Sequence, residues 1–205
     1  MDNLSEQDIE KNNEMYDAMM EISNPNYWFG THKQDNYERL ILIEQLSKFP
    51  LKSSKCLDVG CGTGDFSLFL RQKGIIDYLG IDIYGPSLRL AREYHPNEMF
   101  LKIDLLQWKT DDKFDFVFCS GGLSTKLVSD NYDFISSMIF RMWNLASLGV
   151  AFNFLIDDGH YDLDIFHYSL SRVHKICENI TGTEGKLFYR VLDGEAHFYL
   201  YKKIQ

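Results

Sequence analysis

Cysteine is scarce in this sequence. Its 205 residues include four cysteines, Cys56, Cys61, Cys119 and Cys177, and none stands at the CxxC spacing of a metal or redox pair. Three of them fall in segments that read as strand or strand end, so free thiols in a reducing cytoplasm are expected. No apolar run approaches the roughly 18 residues of a membrane span. The opening MDNLSEQDIEKNNEM carries acidic and amide residues where a leader needs a basic stretch and then an apolar one. Cations are scarce: 21 Lys and Arg stand against 30 Asp and Glu, a formal net charge of −9. Broad contact with phosphate backbones requires clustered cations, so nucleic acid and an anionic membrane surface are not expected partners. Internal repeats, low-complexity tracts and long linkers are missing as well. The length predicts one domain over 1–205, with a helical extension over 1–50 and an α/β core over 51–205.

Residues 5–22 pattern as an amphipathic helix, with Ser5 and Asp8 as a capping pair and Met15, Met19 and Ile22 on one face. A turn-rich stretch with Tyr27, Trp28 and Phe29 follows, and a second helix is predicted over 35–48, before Pro50. From residue 55 short apolar runs alternate with helical segments. The predicted strands are KCLDVG, DYLGID, MFLKID, FDFVFCS and LGVAFNFL. The helices between and after them are DFSLFLRQKG, PSLRLAREYHP, 132–146 and 166–179. KLFYRVL and AHFYLYKK, joined by DGE, read as a closing hairpin. Strands alternating with helices imply right-handed crossovers and a mainly parallel sheet covered on both faces.

The densest chemistry lies in Leu57-Asp58-Val59-Gly60-Cys61-Gly62-Thr63-Gly64-Asp65. The glycines allow a tight turn and close approach of a ligand at a helix N-terminus. A dinucleotide site would place its third glycine at position 65, which is Asp65, and a carboxylate sits badly beside a pyrophosphate. No Lys-Ser/Thr pair follows, which excludes the ATP-type phosphate loop. A nucleoside ligand without phosphates remains. Asp82 ends the second strand about twenty residues on, where a carboxylate accepts from both ribose hydroxyls. Asp104 ends the third, where it can accept from an exocyclic amine. Asp58 ends the first, near where a cationic α-amino group would lie. Three carboxylates without a phosphate-binding cation suit a cationic nucleoside.

In order and spacing, LDVGCGTGDF, GIDI, KIDL and FDFVFCSGG resemble the successive motifs of the class I S-adenosylmethionine-dependent methyltransferases, over about residues 35–205. The resemblance implies a Rossmann-like, seven-stranded, mostly parallel sheet with its last strand antiparallel, and S-adenosylmethionine as cofactor. It also implies that Gly60, Cys61 and Gly62 line the methionine part and that Asp82 holds the ribose, with Ile83 on adenine. Asp104 and Leu105 would meet the adenine edge, and Ser120 with Gly121 would flank the methyl.

The Asn/Asp-Pro-Pro-aromatic motif of amine and amide methylation is absent after the fourth strand, and Cys119 follows Phe118 rather than a proline. A small organic acceptor, methylated at oxygen or nitrogen, is the expectation. The alternatives are a protein methyltransferase and a non-catalytic cofactor-binding subunit. The aromatic N-terminal segment, with Tyr16, Tyr27, Trp28, Phe29, His32 and Tyr37, is expected to close as a lid. The acidic stretch 157–164 does not match a calcium loop, no metal is assigned, and its His160 is the candidate general base.

Overall fold

The computed structural model describes residues 10, 14, 17, 33–126, 131–157, 165–183 and 185–203. Glu10, Glu14 and Asp17 are helical, and the rest of the expected 5–22 helix, with the aromatics at 16 and 27–29 and His32, lies outside the described residues.

Strand β1 (Lys55–Val59), β2 (Asp77–Asp82), β3 (Met99–Lys102), β4 (Phe114–Cys119) and β5 (Ala146–Leu155) are mutually parallel where they pair. Strand β7 (Glu195–Lys202) enters antiparallel beside β5, and β6 (Gly185–Leu192) pairs antiparallel outside it. The order is β3-β2-β1-β4-β5-β7-β6, so the seven-stranded, mostly parallel sheet with an antiparallel last strand is present as expected. Asp193 and Gly194 both take positive φ in the hairpin turn, the geometry that matches strand twist.

Helices α1 (Lys33–Leu40), α2 (Ile43–Ser47), α3 (Asp65–Gln72) and α4 (Gly85–Tyr94) go with one apolar cluster. The other cluster carries α5 (Asn131–Leu145) and α6 (Leu170–Thr181). Period-two alternation divides β1 between them: Leu57 and Val59 face α5, while Cys56 lies in the cluster of α1 and α3.

Two helices differ from expectation. The predicted 35–48 helix breaks at residues 41–42, where Leu42 N–H reaches back only to Arg39 O and Glu44 N–H only to Ile41 O. The predicted 166–179 helix starts at Leu170 instead. Tyr168 is already paired with the end of β5, donating to Leu155 O and accepting from Asp157 N–H, while Phe166 N–H donates to Ser124 O. Those cross-chain bonds hold the backbone extended until Ser169.

The strand order reverses between β1 and β4. That switch point is where an open α/β sheet leaves a crevice at the carboxyl ends of its strands.

Candidate active site

The turn after β1 is fixed to the end of β2. Gly60 N–H and Cys61 N–H both donate to Ile81 O, at 2.8 and 3.1 Å, and Gly62 N–H donates to Asp82 Oδ2 at 2.8 Å. Asp82 Oδ1 accepts from Tyr84 N–H at 2.8 Å. Both carboxylate oxygens are thus held by the backbone, with acceptor capacity left for a ligand. Burial pushes the Asp82 carboxyl above its ordinary value, against the pull of the Tyr84, Gly62 and Ile83 amides.

Asp104 does local work with one oxygen only: Oδ1 accepts from Leu106 N–H at 2.9 Å. Its Oδ2 is buried and has no hydrogen-bond partner among the described residues. Leaving an acceptor dry and unpaired costs about 1–3 kcal/mol, so this atom is built to meet a donor. Leu105 is buried, 3% exposed, in the α5-side core, so only its backbone is offered at this edge. Ile83, Gly60, Gly62 and Ser120 are half-buried and Gly121 is exposed.

Asp58 lies within β1, one residue before its end. It is 2% exposed and accepts from Tyr78 Oη at 2.8 Å, so its carboxylate is engaged beneath the glycine turn. Their own burial first, and the Asp58 charge second, push the pKa values of Tyr78, Tyr37 and Cys61 up. Cys61 is therefore a packed thiol rather than a nucleophile. His160 lies outside the described residues.

Sequence reasoning missed three contributors. Tyr84, 2% exposed, follows Asp82 by two residues and donates its hydroxyl to Asp17, which brings the N-terminal segment to this edge. Asn153 on β5 accepts from Gly121 N–H at 2.8 Å and donates to Glu195 Oε2 at 3.0 Å. The available signal was a lone amide inside the apolar run GVAFNFL, since a buried polar side chain must find partners.

A doubly wound sheet with a glycine turn at its switch point and carboxylates beyond the ends of β2 and β3 is an arrangement in which α/β proteins bind nucleosides. The family described as "Methyltransferase domain" matches residues 56–142. The ubiquinone biosynthesis O-methyltransferase of Histophilus somni (strain 2336) is 29% identical, over 95% of this chain and 92% of its own length. A trans-aconitate 2-methyltransferase of Escherichia coli O1:K1 / APEC is 26% identical over 53% of this chain and 43% of its own. Among solved structures, magnesium protoporphyrin IX methyltransferase from Synechocystis PCC 6803 with bound SAM superposes with a TM-score of 0.70 at 16% identity, covering 98% of this chain and 100% of that one. Residues 56–142 thus carry a methyltransferase domain, the fold is that of S-adenosylmethionine-dependent methyltransferases, and the chain is an enzyme of methyl transfer.

Proposed function

We propose that this enzyme methylates a small organic acceptor, with the cleft at the β1–β4 switch point as its cofactor site. The observation that carries the site assignment is the buried, unpartnered Oδ2 of Asp104, an acceptor matched to the exocyclic amine of adenine. Asp82 holds the ribose hydroxyls through its remaining acceptor capacity, and Ile83 packs on the base. Leu105 lends its backbone to the adenine edge. Gly60, Cys61, Gly62, Ser120 and Gly121 border the methionine part, and Asp58 acts from below by holding Tyr78. The likeness to an O-methyltransferase over nearly its whole length favours oxygen as the methylated atom.

When bound, S-adenosylmethionine supplies a methyl group already activated by its sulfonium. What the chain must do is orient and exclude water; alignment alone contributes about 7–11 kcal/mol to such a reaction. The contact between Asp17 and Tyr84 supports the N-terminal segment as the lid. His160 is the proposed base for an acceptor hydroxyl. A fall of tenfold or more in turnover for His160→Ala is the expected result, and undiminished turnover on a genuine substrate removes it from the mechanism. Among the described residues no helix is long and apolar enough to cross a membrane, and the reading places the enzyme in the cytoplasm, acting on a dissolved metabolite.

Calorimetric titration with S-adenosylhomocysteine tests the site, with one micromolar site expected. In Asp104→Asn the Leu106 amide keeps the one oxygen, and the new amide nitrogen turns a donor toward the adenine donor. Affinity falls by about 1–3 kcal/mol, near tenfold or more. Folded wild-type protein that does not bind overturns the cofactor site. Unchanged affinity in the variant overturns the adenine assignment alone.

A further inference from the structure

The loop after β4 is tied to a distant part of the fold. Gly121 is exposed, takes φ +76°, and gives its N–H to Asn153 Oδ1. Asn153 is 2% exposed on β5, and its amide donates to Glu195 Oε2 at the start of β7. The other oxygen of Glu195 accepts from Asn36 Nδ2 on α1 at 3.4 Å. Asn36 Oδ1 in turn accepts from Arg39, whose guanidinium pairs with Asp193 in the β6–β7 turn at 3.0 Å. A continuous chain of donors and acceptors therefore runs from the Gly121 backbone to the first helix. Its hub is one carboxylate.

Register explains why these side chains meet. Asn153 stands directly across from His197 in the antiparallel β5–β7 pair, and Glu195 lies two residues before His197, on the same face. His197 is fully buried, and its Nε2 is 3.6 Å from Glu195 Oε2. Burial, with Arg39 and Arg190 nearby, lowers its pKa to about 4, so at neutral pH it brings no charge to Glu195. The carboxylate is satisfied by the two amides, and a side-chain amide held by a carboxylate is fixed in its flip, with oxygen toward Gly121.

We propose that Glu195 is a positioning residue for methyl transfer: through Asn153 it sets the Ser120–Gly121 turn beside the cofactor, and through Asn36 it makes that setting depend on the seating of α1. Both Asn153 and Glu195 lie outside residues 56–142, the span matched by the family, so this device belongs to the part of the chain that the family match does not cover. The role in catalysis rests on the cofactor placement proposed above. The mechanical link does not.

The test is amide hydrogen exchange at Gly121 in the ligand-free protein, followed by titration with S-adenosylhomocysteine. Glu195 is a quarter exposed, so Glu195→Ala is a mild change for folding, and melting curves check that. The expected result is about tenfold faster exchange at Gly121 and about tenfold weaker binding in Glu195→Ala, the scale of one hydrogen bond to a charged group. Glu195→Gln keeps an oxygen for Asn153 but turns its amide nitrogen toward the Asn36 donor, so exchange and binding fall between wild type and Glu195→Ala. In Asn153→Ala the Gly121 amide is already released, so adding Glu195→Ala changes its exchange no further. Unchanged exchange in Glu195→Ala overturns the proposal, as does a Glu195→Ala effect that persists undiminished in the Asn153→Ala background. Absence of binding by the wild type would sink the cofactor placement instead, while the exchange data still decide the link.

Discussion

Asp82→Ala is expected to weaken S-adenosylhomocysteine binding by about 1–3 kcal/mol, roughly tenfold or more, and to lower stability as well. The double effect follows from its position. The carboxylate accepts from Gly62 N–H and Tyr84 N–H, and both amides lose a charged partner when it is removed. The same oxygens carry the proposed ribose contacts. Asp82 also supplies a pH signature. Burial holds its pKa above 3.8 in the folded protein. Ribose hydroxyls donate to the ionised form, so affinity is full above that raised pKa and falls as the pH drops through it, sooner than an exposed aspartate would impose. Stability runs the other way. A raised folded pKa favours folding below the unfolded value, and that gain is lost as the pH rises through the folded one. Titration calorimetry and thermal melts across pH 4–8 separate the two, and Asp82→Ala flattens both. Unchanged affinity in a folded variant rules out the ribose role.

Gly64→Ala is expected to be the most damaging single methyl in the glycine turn. Gly64 takes φ +81°, and an added Cβ would lie 2.6 and 2.8 Å from two carbons of the Phe100 ring and 3.0 Å from His95 Cδ2. Phe100 is 3% exposed on β3 and packs edge-on against Tyr78, so the ring has nowhere to retreat. The left-handed backbone costs about 1–2 kcal/mol and the overpacking about 1–3 kcal/mol. At about 2–4 °C per kcal/mol for a chain of this size, the melting temperature falls by roughly 4–20 °C. Gly194→Ala is the control: φ is +78° there but nothing lies within 4 Å, so only the backbone cost remains. Equal melting temperatures for the two variants would show that the Phe100 contact relaxes at no cost.

Much of this protein was legible because its signals are local. A glycine turn after an apolar strand, proline at the start of α4 and glycine after α3 act over a few residues through backbone sterics. All three fall where the sequence places them. Asp82, the last residue of β2, was legible for the same reason: a strand's end fixes the edge its last side chain occupies; Asp104 lies two residues beyond β3, which ends at Lys102 and not at Asp104 as the sequence suggests. The misjudged start of α6 had a non-local cause. Residues 166–168 pattern as helix, yet the bonds that keep them extended come from Ser124 and from the Leu155–Asp157 strand end.

The sequence by itself determined the parallel sheet, the closing hairpin, the glycine turn and the nucleoside type of the ligand, since each follows from periodicity, φ preference or the chemistry of a few adjacent residues. Tertiary structure alone decided that Asp58 is occupied by Tyr78, that Asp104 keeps an unpaired oxygen, and that Glu195 reaches Gly121 through Asn153. Those contacts join residues 20 to 42 positions apart, on strands whose order is not the order of the chain. A hydrogen bond across such a sheet depends on register and strand order together, and both are set by the packing of the two apolar cores.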